Sequence, residues 1–161
     1  MTTQLSADQV WHEIVQETFG VLGMVTAASE ARTVGVSYVV QGRKFYINSA
    51  REAWKVQHVA ANSAVSMTIA IPKRIRFMPK TKLPPATISF HGTGRVLDPS
   101  ELPVELVAAS LGYDIAQDPE RLALVAIIEV TPVGEFVTYG VGVSLSEMSD
   151  PSIAAGRAPV E

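Results

Sequence analysis

The sequence predicts a mainly β protein: a small, mostly antiparallel, Greek-key-like barrel of six or seven strands with flanking helices. Short segments rich in Val, Ile, Phe, Tyr and Thr recur along the chain between Gly, Pro, Asn and Asp punctuation. After one N-terminal helix the elements follow the order β-β-β-α-β-β-α-β-β, in which sequential neighbours pair. The third observation is size and polarity. A chain of 161 residues, 47% apolar and 18% charged, fits one globular domain with a stable core and no internal repeat.

The elements follow from local signals. Ser6 and Gln9 form a capping box for a helix over 6–18, with Asp8 in its first turn and Val10, Trp11, Ile14, Val15 and Thr18 on one face. A strand runs from Val21 to Ala27, and another from Thr33 to Val40 with Val34, Val36, Tyr38 and Val40 on one face. Gln41-Gly42-Arg43 closes a hairpin into Lys44–Asn48. Ser49 and Glu52 read as a second capping box, for a helix from Ala50 to about Ala61 that carries Lys55 on its second turn. The next strand starts at Ala64 and ends near Ile71.

Residues 72–85 hold four prolines, five basic side chains and no acid. The whole chain carries −3, so the rest of it carries −8, and a positive loop on an acidic body attracts anions. The loop is a solvated connection, a lid on an anionic cofactor or substrate using Lys73, Arg74 and Arg76, or a nucleic-acid contact. The negative total charge argues against the last.

Ala86–Leu97 forms the next strand, and its Gly92-Thr93-Gly94 reads as a bulge or bend. Asp98 or Ser100 caps a helix reaching Leu111, which Gly112 stops. Asp118-Pro119 starts one more helical turn, Ala123–Thr131 is a buried strand, Pro132–Gly134 turns, and Glu135–Gly140 is the last barrel strand. Residues 1–140 thus make the domain, and 141–161 an extended tail for which a partner subunit is the candidate support.

The composition excludes several chemistries. Without cysteine there is no disulfide, thiolate nucleophile or Cys-based metal site. His12, His58 and His91 are scattered, so no metal site is expected. No secretory signal or membrane-length apolar run is visible, which points to a cytoplasmic protein without a membrane partner. No acid–base dyad marks a catalytic residue.

The stretch Phe45-Tyr46-Ile47-Asn48-Ser49, then Lys55, then Asn62-Ser63-Ala64-Val65-Ser66-Met67-Thr68 resembles the phosphate-binding segment of the FMN-binding split barrels, the pyridoxamine 5′-phosphate oxidase-like group. The resemblance covers about residues 10–140 in strand order. It implies a split β-barrel that binds FMN at a homodimer interface and acts as an oxidoreductase on an unassigned small molecule, with hydride transfer at the flavin N5. Ser49, Arg51 and Lys55 would then neutralise the phosphate. Asn48 and the backbone of Ile47 would face the isoalloxazine, and Tyr46 or Trp54 would supply apolar surface. Ser37 and Arg74 are further cofactor-binding candidates. A deazaflavin-dependent reductase is the alternative, as is a non-catalytic flavin-binding or structural dimer. The C-terminus lacks the Arg-x-His-type signature of true pyridoxamine-phosphate oxidases, and a haem role would rest on His91 alone.

Overall fold

Buried and exposed residues alternate along β-rich runs such as Ala64–Ile71, whereas Phe45–Ile47 and Ala126–Val130 are buried continuously, as strands covered on both faces are. The computed structural model describes residues 3–78 and 80–161; Pro79, one of the four prolines of the basic loop, lies outside them, as do Met1 and Thr2. Among the described residues nine strands form one mixed sheet. They are β1 (Thr3–Gln4), β2 (Phe19–Val25), β3 (Ala31–Ser37), β4 (Val39–Gln41), β5 (Lys44–Ala50), β6 (Ala64–Ile71), β7 (Ala86–Leu97), β8 (Val125–Tyr139) and β9 (Ala155–Pro159). The hydrogen-bonded order is β1-β9-β8-β7-β6-β2-β3, with β5 pairing both β4 and β8. Helices α1 (Ala7–Gln16), α2 (Trp54–Ala61), α3 (Val104–Leu111), α4 (Tyr113–Ala116), α5 (Pro119–Leu122) and α6 (Pro151–Ala154) flank the strands. The fold is the mainly β split barrel that the sequence predicts. The chain divides into two compact units.

The first unit comprises the described residues up to Glu17, Thr68–Phe90 and Gly134–Glu161. Its helix α1 has the predicted box: Gln9 N–H donates to Ser6 Oγ at 3.2 Å, and Ser6 N–H to Gln9 Oε1 at 2.8 Å. The stripe buried by α1 is Ala7, Val10, Trp11 and Ile14, whereas Val15, expected on that face, is exposed. One residue beyond Ile14 lies ~100° further round the helix, which takes Val15 off the stripe. Phe136, fully buried, takes the edges of Trp11 and Phe90 at centroid distances of 5.4 and 5.5 Å. The expected extended tail is corrected. Residues Ala155–Pro159 form β9, antiparallel to β8 from Glu135↔Pro159 to Tyr139↔Ala155 and parallel to β1. Gly, Ala and Pro composition suggested a loose end, but the tail's backbone groups find ladder partners on its own chain.

The second unit comprises Thr18–Met67 and His91–Val133. β2 and β3 pair antiparallel from Phe19↔Ser37 to Val25↔Ala31. The strand expected over Thr33–Val40 is divided at Tyr38, whose N–H donates to Thr18 O at 2.9 Å. The hairpin from β4 to β5 closes through Gly42 and Arg43, both left-handed with φ of 56° and 58°, the geometry of a type I′ turn. β5 then pairs with β8 from Phe45↔Val130 to Ala50↔Val125. The helix expected from Asp98 to Leu111 is two elements. A 3₁₀ turn over Pro99–Glu101, boxed by Asp98 and Glu101, precedes α3. Pro103 enforces the break, since it has no N–H and disfavours helical geometry at Leu102. Gly112 ends α3 at φ 89°.

The turn expected at Pro132–Gly134 is also corrected, because β8 runs unbroken for 15 residues through it. Gly134 at φ 78° lets the strand bend without leaving the ladder.

At Gly92 an added Cβ would lie 2.3 Å from the Thr131 carbonyl oxygen and 3.2 Å from Pro132 Cα. Both obstacles are backbone, so neither can rotate away. Gly92→Ala is expected to destabilise the protein by about 3 kcal/mol or more, at the upper end of overpacking costs. A denaturant midpoint equal to wild type would show that β7 and β8 are not in this close approach.

Candidate functional site

Ser49 sits inside β5 opposite Ala126, not at a helix N-cap. The pairing of β5 with β8 carries the extended backbone on through Ala50, and Arg51 N–H then donates to Leu124 O at 2.9 Å. A turn follows in which Ala53 N–H bonds Ala50 O, and α2 starts only at Trp54. The Ser49–Glu52 capping box is therefore corrected: ladder hydrogen bonds outweigh one side-chain cap. Ala53 caps α2 without a side-chain bond, and the N–H groups of Trp54 and Lys55 find no acceptor among the described residues. Lys55 lies in the first turn of the helix and not the second. It is half-buried and makes no ion pair with any described residue.

The predicted residues divide between the two faces of β5. Ile47 and Ser49 alternate with Phe45 on one side, and Ile47 is a core residue. The Ser49 hydroxyl is buried and has no hydrogen-bond partner. Tyr46 and Asn48 lie on the other side. Tyr46 packs with Leu97, Leu106 and Ile127, so it is core and not an open platform. β4 reaches only to Val39 opposite Tyr46, which leaves Asn48 beyond its end. There Asn48 Nδ2 donates to Ser110 O at 2.6 Å and meets Ser110 Oγ at 3.1 Å. A cleft of about 190 Å³ opens at this point, lined by Thr18, Ser37, Tyr38, Val39, Asn48, Ala109 and Ser110. Ser37 and Asn48, on either side of the β4–β5 hairpin turn, thus share one polar cleft. Its volume is below the roughly 300 Å³ at which whole small-molecule sites begin, so it suits part of a ligand.

Arg51 is engaged elsewhere. Its Nη2 pairs with Asp98 Oδ2 at 2.6 Å and donates to Val125 O at 2.8 Å, while Nε donates to Ala123 O at 3.0 Å. It ties the 98–124 segment to the end of β5. Trp54 is 45% exposed and meets the His58 ring edge-on at 5.7 Å. Arg74 is exposed, and it is not among the residues that line the cleft.

Two features were not legible in sequence. Glu129 is 6% exposed, in the middle of β8. It accepts from Tyr46 Oη at 3.2 Å and pairs with Arg95 at 3.2 Å and Lys44 at 3.6 Å. Burial, then the Glu129 charge and its hydrogen bond, push the Tyr46 phenol above its usual range. Glu129 stands in an apolar run, and nothing there signals that three strands bring its partners together. The other feature is an apolar cleft of about 440 Å³ among Leu102, Val104, Val107, Ala116, Leu122 and their neighbours. Among the described residues no group of three or more His, Asp or Glu side chains gathers as a metal site. His91 stands exposed on β7.

No family model matches the sequence, and no curated protein matches it. Solved structures do match in fold. A Listeria innocua protein described as a candidate pyridoxamine 5′-phosphate oxidase is 16% identical, over 78% of this chain and 92% of its own, with a TM-score of 0.60. An F420 reductase is 18% identical over 78% and 93%, with a TM-score of 0.54. HutZ, the heme storage protein from Vibrio cholerae, is 13% identical over 86% and 98%, with a TM-score of 0.63. At these identities the likeness is one of architecture. The chain has the split-barrel fold of the pyridoxamine 5′-phosphate oxidase-like proteins, a fold shared by structures described as an oxidase, an F420 reductase and a heme storage protein.

The Asp98 carboxyl is held at about 2, below its ordinary 3.8, first by the Ser100 N–H and hydroxyl and then by Arg51. A carboxyl depressed in the folded state contributes stability above its unfolded pKa, and loses it as pH falls through the folded value. Arg51→Gln is expected to raise the Asp98 pKa only part of the way to 3.8, because the Ser100 contacts remain. Carboxyl NMR titration checks this; a full return to 3.8 would assign the whole shift to Arg51.

Proposed function

We propose that this chain is an oxidoreductase that binds FMN, with the cofactor phosphate at the start of α2. The observation that carries the reading is Lys55: a half-buried cation without an acidic partner among the described residues, beside two unsatisfied N–H groups at an uncapped helix start. Such a terminus favours an anion through its dipole and its donors, and the ammonium adds a charge-assisted bond. Ser49, with its buried and unpartnered hydroxyl, is the residue offered at the end of the preceding strand. Arg51 has only its Nη1 group left uncommitted, so its contribution is the smaller one.

The ring-recognition role falls to the cleft. With Nδ2 donating to Ser110, the Asn48 Oδ1 is an acceptor for a ring N–H, and Ser37 supplies a hydroxyl across the same space. The backbone of Ile47, beyond the end of β4, borders that position. A bound flavin supplies the hydride transfer, and the protein groups bind and orient it. The fold likeness to an F420 reductase supports a deazaflavin with a phosphate tail as the variant of this reading.

A homodimer belongs to the same proposal. The outward face of the β2–β3 hairpin carries Phe19, Val21, Gly23, Thr33, Gly35 and Ser37 without a charge, and Phe19 is 55% exposed. Ser37 belongs both to this face and to the cleft, so a second copy on the face would border the cofactor.

Two measurements test these statements. Flavin absorbance and fluorescence titration is expected to give saturable FMN binding at micromolar concentration or below, weakened by about 1.5–3 kcal/mol in Lys55→Ala. A folded Lys55→Ala protein that binds FMN as tightly as wild type would remove the phosphate from α2, and selective uptake of a deazaflavin would move the reading to that cofactor. Sedimentation is expected to show a dimer that Phe19→Glu converts to monomer with weaker FMN binding. A dimer indifferent to Phe19→Glu would place the interface elsewhere.

A further inference from the structure

The basic loop after β6 has a specific shape. Lys73 Nζ donates to Val143 O at 3.3 Å, and Ile75 and Leu83 are half-buried, so the root of the loop is held. Met78 N–H bonds Ile75 O at 3.0 Å, which closes a turn with Arg76 and Phe77 at its corner. At that corner Phe77 is 89% exposed and Met78 55% exposed. Arg74, Arg76, Lys80 and Lys82 are all exposed and make no ion pair with any described residue. Two adjacent apolar side chains at a turn, with cations on both sides in sequence, invert the usual rule for a solvated loop.

We propose that this turn docks the protein on an anionic lipid surface. Phe77 and Met78 would enter the headgroup–acyl boundary while the Arg and Lys side chains meet lipid phosphates, each extending its charged end from an apolar stem. A surface contact needs no spanning segment, and no helix among the described residues is long and apolar enough to cross a membrane. Charge complementarity selects the contact point. The loop holds five cations of a chain whose remainder is −8. The four exposed cations flank the two apolar side chains in sequence, and at physiological ionic strength exposed charges act over a Debye length of ~8 Å, so an anionic surface is attracted at the turn itself. Single-stranded nucleic acid fits less well. It needs a track of cations and successive stacking platforms, whereas this is a convex corner with one aromatic ring and a methionine.

Co-sedimentation with lipid vesicles tests the proposal, using phosphatidylcholine alone and phosphatidylcholine mixed with phosphatidylglycerol. Binding is expected only to the mixed vesicles, and it should fall as salt rises. Arg74→Gln and Arg76→Gln should each weaken it roughly fivefold, and Phe77→Ser roughly tenfold or more. All three positions are exposed, so the variants are expected to fold, with circular dichroism as the check. Equal recovery with neutral and mixed vesicles overturns the proposal, as does undiminished binding by Phe77→Ser. Tighter binding to oligothymidylate than to mixed vesicles would assign the loop to nucleic acid instead. A change of oligomeric state in Arg74→Gln would assign it to a second copy of the chain.

Discussion

The pairing of β5 with β8 is the constraint on which the second unit depends. Six consecutive registered pairs, from Phe45↔Val130 to Ala50↔Val125, hold the backbone extended past the point where local signals would start a helix. That persistence puts Ser49 in the ladder, delays α2 to Trp54 and brings Lys55 to the helix start. The same pairing sets Tyr46 against Glu129 on one face, with Asn48 two residues further on along that face. Most of what the site can do follows from this one ladder.

Around it the chain spends its charges locally. Arg51 is used as a strap, joining Asp98 and the carbonyls of Ala123 and Val125 to the end of β5. Glu129 is buried in β8 but answered by a phenol and two cations from β5 and β7, as a buried acid must be. Lys55 is different in having no such answer among the described residues. An unpaired, half-buried cation beside unsatisfied amides is a local inconsistency, and such inconsistencies gather where a ligand completes the structure.

Periodicity and punctuation made much of the fold legible. The bounds of β6 and β7 were readable to the residue, because each is a β-rich run with breakers at both ends. The Ser6 box, the Gly112 stop and the Gly42-Arg43 hairpin are short-range devices, complete within a few residues. Illegible features were those decided by a partner far along the chain. Pro132 and Gly134 look like a turn until β9 is seen pairing with the strand that continues beyond them. The C-terminal residues look like a tail for the same reason. Of the site, Ser37 and Asn48 are separate signals in the sequence, and the fold puts them in one cleft. Ser49 has the residue type of a helix cap, but it lies inside β5 and Ala53 precedes α2.

The sequence by itself determined the β-rich class, the order of the elements, the exclusion of cysteine chemistry and the isolation of five cations in one loop, since each depends on residue type and near neighbours. Tertiary structure decided where α2 begins, which hydroxyl is stranded without a partner, which cations are committed and which aromatic ring stands in solvent. Those outcomes are competitions between a local preference and a long-range hydrogen bond or contact. The winner is set by strand register, which no stretch of sequence records alone.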